Sequence, residues 1–364
     1  MSGLRIPFMD LHVGEESGEV RAAIDRVMAS GWFVLGTEVE AFEREFAEAS
    51  GASRAVGVGN GTDAIALVLR ALGIGPGDEV ITTPFSAAYT ALAVLMTGAR
   101  PVFADIDPER MTLDPAAVER AVTGRTAALL PVHLYGQPAD MPALAALADR
   151  KGLALIEDCS QAHLATCVGQ PVGTFGVAGA FSFYPTKNLG ALGDGGAVIT
   201  RDAALADRIA RLRNGGQSHR YHHAEAGVNS RLDEMQAAIL RARLPWLARR
   251  TAQRRALAAE YRTRLEGGPV KVPMEMDAGH VYHLFPVRSS RRAALQSHLR
   301  AAGIEALIHY PVVISQQPAF ASTDPAGSPN AIRAADEVLS LPLYPGLPLD
   351  SVRAVVDALR KDNI

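Results

Sequence analysis

The chain has 364 residues, of which 48% are hydrophobic and 21% charged, and a formal net charge of -3. That composition describes an ordinary globular protein, long enough for one large domain and a smaller one, and excludes a disordered or membrane-embedded chain. Lys and Arg total 36 against 39 for Asp and Glu, so no global positive field exists to gather nucleic acid. The two cysteines, Cys159 and Cys167, fall in no zinc, iron–sulfur or disulfide spacing. The amino terminus carries no signal-like apolar run, and no later stretch approaches the ~20 apolar residues of a membrane span. A cytoplasmic protein without metal, membrane or nucleic-acid partner is therefore expected.

The first chemistry-bearing segment is Gly57-Val-Gly-Asn-Gly-Thr-Asp63, a glycine-rich turn leading into a helix expected to begin near Ala64. Free amides at a helix start, together with the helix dipole, form an anion site that glycines allow a phosphate to approach. A plain capped start with Thr62 or Asp63 as N-cap explains the same residues. Ile65, Val68, Leu69 and Leu72 then mark one apolar helix face. Apolar runs at 79–83, 101–105, 127–133, 153–157, 180–183 and 197–200 alternate with helical patterns, which predicts an α/β domain with a mostly parallel sheet.

The run 153–157 closes on Glu157 and Asp158, followed by Cys159-Ser-Gln161-Ala-His163. Ligand sites in open α/β sheets lie at the carboxyl ends of strands. A carboxylate there can fix a cationic ring nitrogen and Gln161 can bond a ring hydroxyl; equally, Asp158 can cap a following helix and His163 can be a satisfied, half-buried side chain. The run 180–183 contains Ser182 and leads through Tyr184-Pro-Thr186 to Lys187, with Gly190, Gly193, Gly195 and Gly196 beyond it. A lysine confined there is desolvated, which lowers its pKa and makes its amine a nucleophile toward an aldehyde. Ser182 is placed to offer a hydroxyl to a phosphate. Gly227-Val-Asn229-Ser-Arg231-Leu-Asp233 reads as a turn before a helix cap, with Asn229 and Arg231 as alternative contacts to a phosphate or carboxylate.

Beyond residue 245 the segment 245–265 is basic and rich in Ala and Arg, predicting a long exposed helix. A strand-like stretch at 280–288, a helix at 291–302, a turn at Gly303, a surface loop at 322–329 and a closing helix at 350–360 follow. The chain thus divides into an N-terminal arm with a large domain over 1–245 and a small C-terminal domain over 246–364.

Taken together, the segments resemble the DegT-type nucleotide-sugar aminotransferases of the aspartate-aminotransferase fold, fold type I. The resemblance runs from Ser30-Gly-Trp-Phe-Val-Leu-Gly36 through Asn60-Gly-Thr-Asp63, Pro131-Val-His-Leu-Tyr-Gly-Gln137, 181–196 and Asn229-Ser-Arg-Leu-Asp-Glu234 to Ile308-His-Tyr-Pro311. It implies a three-layer α/β/α domain with a smaller α+β domain, pyridoxal 5'-phosphate as cofactor, and a homodimer with shared active sites. It implies further that Lys187 holds the cofactor covalently, Asp158 pairs with its ring nitrogen and Gln161 contacts the ring hydroxyl. Gly61 and Thr62 backbone, Ser182, and Asn229 from the other subunit then hold the phosphate. Tyr89 takes the place of a ring-stacking aromatic, since Ala87 stands where many relatives carry one, and Phe85 is the alternative. Tyr184, Arg231, His309 and Tyr310 line the donor or sugar site. Leu164 replaces the glycine of the usual Gln-Ala-His-Gly, which is expected to narrow the pocket.

The reaction implied moves an amino group from an amino acid, glutamate being typical of the family, to a keto sugar carried on a nucleotide diphosphate. A keto-cyclitol acceptor is the alternative within the aminotransferases. Lys187 argues against the dehydratase relatives, which carry histidine there. A non-catalytic regulator keeping the fold is the rival of another class, and the intact set Lys187, Asp158, Gln161, Ser182 and Asn229 speaks against it. No Gly-x-Gly-x-x-Gly fingerprint of a dinucleotide-binding oxidoreductase is present.

Overall fold

A computed structural model of the chain describes residues 5–320 and 327–361. At its centre lies a seven-stranded sheet in the order Arg54–Val58, Gly196–Thr200, Ala178–Ser182, Ala154–Asp158, Thr126–Leu130, Glu79–Thr82, Arg100–Phe103. Gly196–Thr200 runs antiparallel to both of its neighbours and the remaining pairings are parallel, so six strands point one way and one is reversed. The six expected runs all become strands, shifted by a residue or more at their ends. Arg54–Val58, which contains Gly57 and leads into the glycine-rich turn, is the strand not expected.

Side chains alternate across this sheet as the pleat demands. Ile81, Leu129, Leu155, Phe181 and Ile199 join one core with Phe42 and Phe46 of the helix Thr37–Ala49, Leu144 and Leu147 of Met141–Lys151, and Leu240 of Glu234–Arg243. Val80, Leu130, Ile156, Ala180 and Val198 face the other way, onto Ile65, Leu67 and Leu69 of Gly61–Ala71 and Ile209 of Ala203–Leu212. The result is the three-layer α/β/α arrangement, and burying both faces explains why the strands read as continuous apolar runs.

A further core gathers Leu257 and Tyr261 of the helix Leu247–Leu265, Leu295 and Leu299 of Arg292–Ala301, and Val352 and Val355 of Leu349–Lys361 around the antiparallel pair Phe285–Arg288 and Val338–Leu341. Only the last four residues of the expected stretch 280–288 form a strand, because the preceding segment bonds across to the large sheet's loops. There Val281 N–H donates to Gly136 O at 3.1 Å and His283 N–H to Tyr135 O at 2.8 Å. The helix Leu247–Leu265 is not simply exposed: Leu257, Ala258 and Tyr261 are buried, and so is Arg254, whose guanidinium donates to the carbonyls of Tyr282, His283 and Leu343 at 3.3, 3.1 and 3.0 Å. Most of the expected loop at 322–329 lies outside the described residues. No helix among the described residues is long and apolar enough to cross a membrane.

Candidate active site

Two adjacent parallel strands, Ala154–Asp158 and Ala178–Ser182, end beside the first turn of the helix Gly61–Ala71. Strand parity puts Asp158 and Ser182 on that helix's side of the sheet, so the carboxylate, the hydroxyl and the helix N-terminus converge. The helix starts three residues earlier than expected. Its N-cap is Asn60, whose Oδ1 accepts from Asp63 N–H at 2.9 Å, so neither Thr62 nor Asp63 is the cap. The Ser230 hydroxyl, which accepts from Gly59 N–H at 3.0 Å and donates to Asp63 Oδ2 at 2.6 Å, braces this start from outside. The first-turn amides of Gly61 and Thr62 then have no helical carbonyl to bond, which leaves two donors at the positive end of the dipole.

Glycine is required here by close approach. A Cβ on Gly61 would lie 2.7 Å from Ser182 Cβ and 3.2 Å from Ser160 Oγ, and one on Gly196 would lie 2.4 Å from the Asn60 carbonyl. Small residues thus bring the amides of the helix start and two serine side chains into one concave cradle, which fits a tetrahedral anion such as a phosphate.

Asp158 is buried and both of its oxygens are answered: Thr90 Oγ donates to Oδ2 at 2.7 Å and Ser160 N–H to Oδ1 at 3.0 Å. No helix follows Asp158, which disposes of a capping role. Gln161 is also buried; its Oε1 accepts from Tyr135 N–H at 2.7 Å and its Nε2 donates to the Tyr310 hydroxyl at 3.2 Å. Lys187 lies near the Asp158 carboxylate. Burial lowers its amine to about 8, and the nearby Asp158 charge opposes that fall. Among the described residues the Lys187 side chain forms neither a hydrogen bond nor an ion pair, so an uncharged, nucleophilic amine is within easy reach of neutral pH.

The histidines around Lys187 are held neutral. Burial and the Lys187 charge push His309 down to about 4 and His163 down to about 3, and they lower His283 strongly. His163 is fully buried against Phe181 and Phe183 rather than half-buried as the simpler expectation had it. His309 packs on Phe8, and its Nδ1 lies 3.1 Å from Ser340 Oγ. Burial raises the Tyr310 hydroxyl to about 12, which keeps it a proton donor.

Not every expected residue gathers here. His309 and Tyr310 do, whereas Asn229, Tyr184 and Tyr89 are exposed, and Arg231 spends a guanidinium N–H on Asn214 Oδ1 at 2.9 Å. Phe85 is sealed in a core beside Tyr135 and cannot stack on anything in the cradle. Ala87 and Ala88, with Tyr310, Pro311 and Gln316, line an open pocket of about 430 Å³. Leu164 does not line it; it packs against the first core in a left-handed conformation, φ 59°, so its glycine-like backbone survives while its side chain turns away. Thr90, Ser160 and Tyr135 were not among the expected site residues. Each is an ordinary residue in its local pattern, and its place becomes visible only through contacts such as Thr90 with Asp158, 68 positions apart.

Comparison with known proteins decides what this arrangement is. A profile described as the DegT/DnrJ/EryC1/StrS aminotransferase family matches residues 15–360. The chain belongs to that family. The aminotransferase is 51% identical over 363 residues to the dTDP-3-amino-3,4,6-trideoxy-alpha-D-glucose transaminase of Streptomyces venezuelae, covering 98% of this chain and 96% of that one. Among solved structures, S. venezuelae DesV superposes with a TM-score of 0.96 at 50% identity over 98% of each chain. The ntda protein of Bacillus subtilis, solved with bound cofactor PMP, superposes with a TM-score of 0.92 at 30% identity, covering 99% of this chain and 85% of that one. The fold is thus that of the fold type I aminotransferases.

Proposed function

We propose that this enzyme uses pyridoxal phosphate to move an amino group from an amino acid, glutamate first among the candidates, to the keto group of a sugar carried on a nucleotide diphosphate. The observation that carries the reading is the convergence of three groups at the ends of two neighbouring strands: the unpaired Lys187 amine, the hydrogen-bonded Asp158 carboxylate and the glycine cradle at Gly61. The sugar acceptor is supported by the relatives, the S. venezuelae protein being a dTDP-sugar transaminase by name.

The residues present fit that cofactor. Lys187 would hold its aldehyde carbon, Asp158 its ring nitrogen and Gln161 its ring hydroxyl. The amides of Gly61 and Thr62, the Ser182 hydroxyl and the partner subunit's Asn229 would hold its phosphate. Bound there, pyridoxal phosphate supplies an electron sink that lets the α-proton of an attached amino acid leave. Asp158, held in place by its hydrogen bonds to Thr90 and Ser160, would hold the ring nitrogen's proton. Lys187 Nζ, free once a donor amine has taken its place, would carry the donor's α-proton to the cofactor's aldehyde carbon within the first half of the reaction and would run the same transfer in reverse when the sugar is aminated. His309, Tyr310 and the pocket beside Ala87 and Ala88 receive the donor and then the sugar, with Tyr89 flanking the ring and Tyr184 and Arg231 reaching substrate across the subunit interface.

In this reading residues 1–245 form the cofactor-binding domain and 246–364 the smaller domain that contributes His309 and Tyr310. A screen of keto-sugar nucleotides and keto-cyclitols with glutamate, read by product mass, tests it. Amination of a keto-sugar nucleotide is expected. Amination of cyclitols alone would move the acceptor to that class, and turnover of no acceptor by a pyridoxal phosphate-loaded enzyme would contradict the transferase reading.

A further inference from the structure

The cradle at Gly61 contains a hydroxyl that the assignment above leaves unused. Ser160 lies two residues beyond Asp158, in the turn that carries the chain to Gln161, and its N–H bond to Asp158 Oδ1 at 3.0 Å fixes that turn. Its hydroxyl reaches the opposite end of the site. A Cβ on Gly61 would lie 3.2 Å from Ser160 Oγ and 3.2 Å from Ser182 Cα, so the two serines flank the first residue of the helix from neighbouring strand ends. Ser182 Oγ accepts from Tyr184 N–H at 3.3 Å, which leaves its own proton free to donate. Ser160 Oγ has no hydrogen-bond partner among the described residues, and the residue is half-buried.

A hydroxyl held at the positive end of a helix, beside two unbonded amides and a second serine, has its proton directed to whatever anion the amides bind. We propose that Ser160 is an additional binding residue for the cofactor's phosphate, donating to it alongside Ser182 and the amides of Gly61 and Thr62. The proposal rests on the pyridoxal phosphate reading and extends it. Through its N–H, Ser160 orients the carboxylate assigned to the ring nitrogen; through its hydroxyl it grips the phosphate, so one residue sets the distance between the two ends of the cofactor.

The test compares pyridoxal phosphate with pyridoxal, which lacks the phosphate, as titrants of the cofactor-free protein, followed by the absorbance of the bound aldehyde. In Ser160→Ala the affinity for pyridoxal phosphate is expected to fall about ten- to a hundredfold, the loss of one charge-assisted hydrogen bond, while the affinity for pyridoxal stays at the wild-type value. In parallel, inorganic phosphate is expected to raise the Tm of the cofactor-free wild type by more than that of Ser160→Ala. Unchanged affinity for pyridoxal phosphate, or an equal loss for both titrants, would overturn the proposal, the second outcome showing a merely structural role. A wild type that binds neither titrant would instead overturn the cofactor reading, so the two failures are distinguishable.

Discussion

A carboxylate taken out of water needs donors on its oxygens, and Asp158 finds them in the Thr90 hydroxyl and the Ser160 N–H. Lys187 is treated in the opposite way: it is desolvated and given no partner, so its proton is held loosely, at about 8. The sign of the consequence for stability follows from linkage. Between about 8 and the ordinary lysine value of 10.5 the unfolded chain takes up a proton that the folded chain declines, so this group adds stability as pH rises through that window. Below it, the folded state carries the full penalty of a buried ammonium. Cofactor-free Lys187→Met is therefore expected to melt above the wild type at pH 7, with the difference closing as pH rises from about 8 to 10.5. A difference constant over that range would show that the amine is not desolvated.

At the level of elements, the site depends on how closely a strand and a helix start can approach. Gly196 faces the Asn60 carbonyl so tightly that a Cβ there would sit 2.4 Å from it, and Asn60 caps the helix whose amides form the cradle. Gly196→Ala must push that start away from Ser182. The affinity for pyridoxal phosphate is expected to fall by at least about tenfold, since small displacements of binding groups are costly, while circular dichroism keeps its native shape. Wild-type affinity in this variant would mean that the cradle tolerates the shift and is not the phosphate site. Elements of this kind are readable in the sequence where an apolar run ends on a functional group, which is why Lys187, Asp158 and Ser182 stand out. Thr90 does not, because one hydroxyl inside Tyr89-Thr-Ala-Leu-Ala gives no local signal and acquires meaning only from the strand packed beside it. Backbone torsion is equally silent in sequence, so Leu164 reads as an intrusion into the pocket although its side chain turns to the core.

For the whole molecule, large aromatic side chains remain on the surface: Trp32, Phe33 and Tyr184 are 62%, 52% and 52% exposed. The aromatic turn is tied to the segment bearing Asn229 and Arg231, since Glu234 N–H donates to Phe33 O at 3.0 Å and Val34 bridges Asp233. If the proposed site is shared in a homodimer, Asn229 serves the Lys187 of the other subunit. Mixing inactive Lys187→Ala with inactive Asn229→Asp subunits is then expected to restore about a quarter of the wild-type activity, because half of the randomly formed dimers carry one intact site. No recovery on mixing would place Asn229 and Lys187 in the same subunit's site, and an Asn229→Asp variant active on its own would place Asn229 in none.

The central claim is that Lys187 holds the cofactor, and the chain contains only four lysines, Lys151, Lys187, Lys271 and Lys361, which makes it directly testable. The enzyme loaded with pyridoxal phosphate is reduced with borohydride, digested and mapped by mass, with a second sample treated with glutamate before reduction. The label is expected on Lys187 in the first sample and to be absent from every lysine in the second. A label on one of the other three lysines, or a Lys187 label that survives glutamate, would contradict the account.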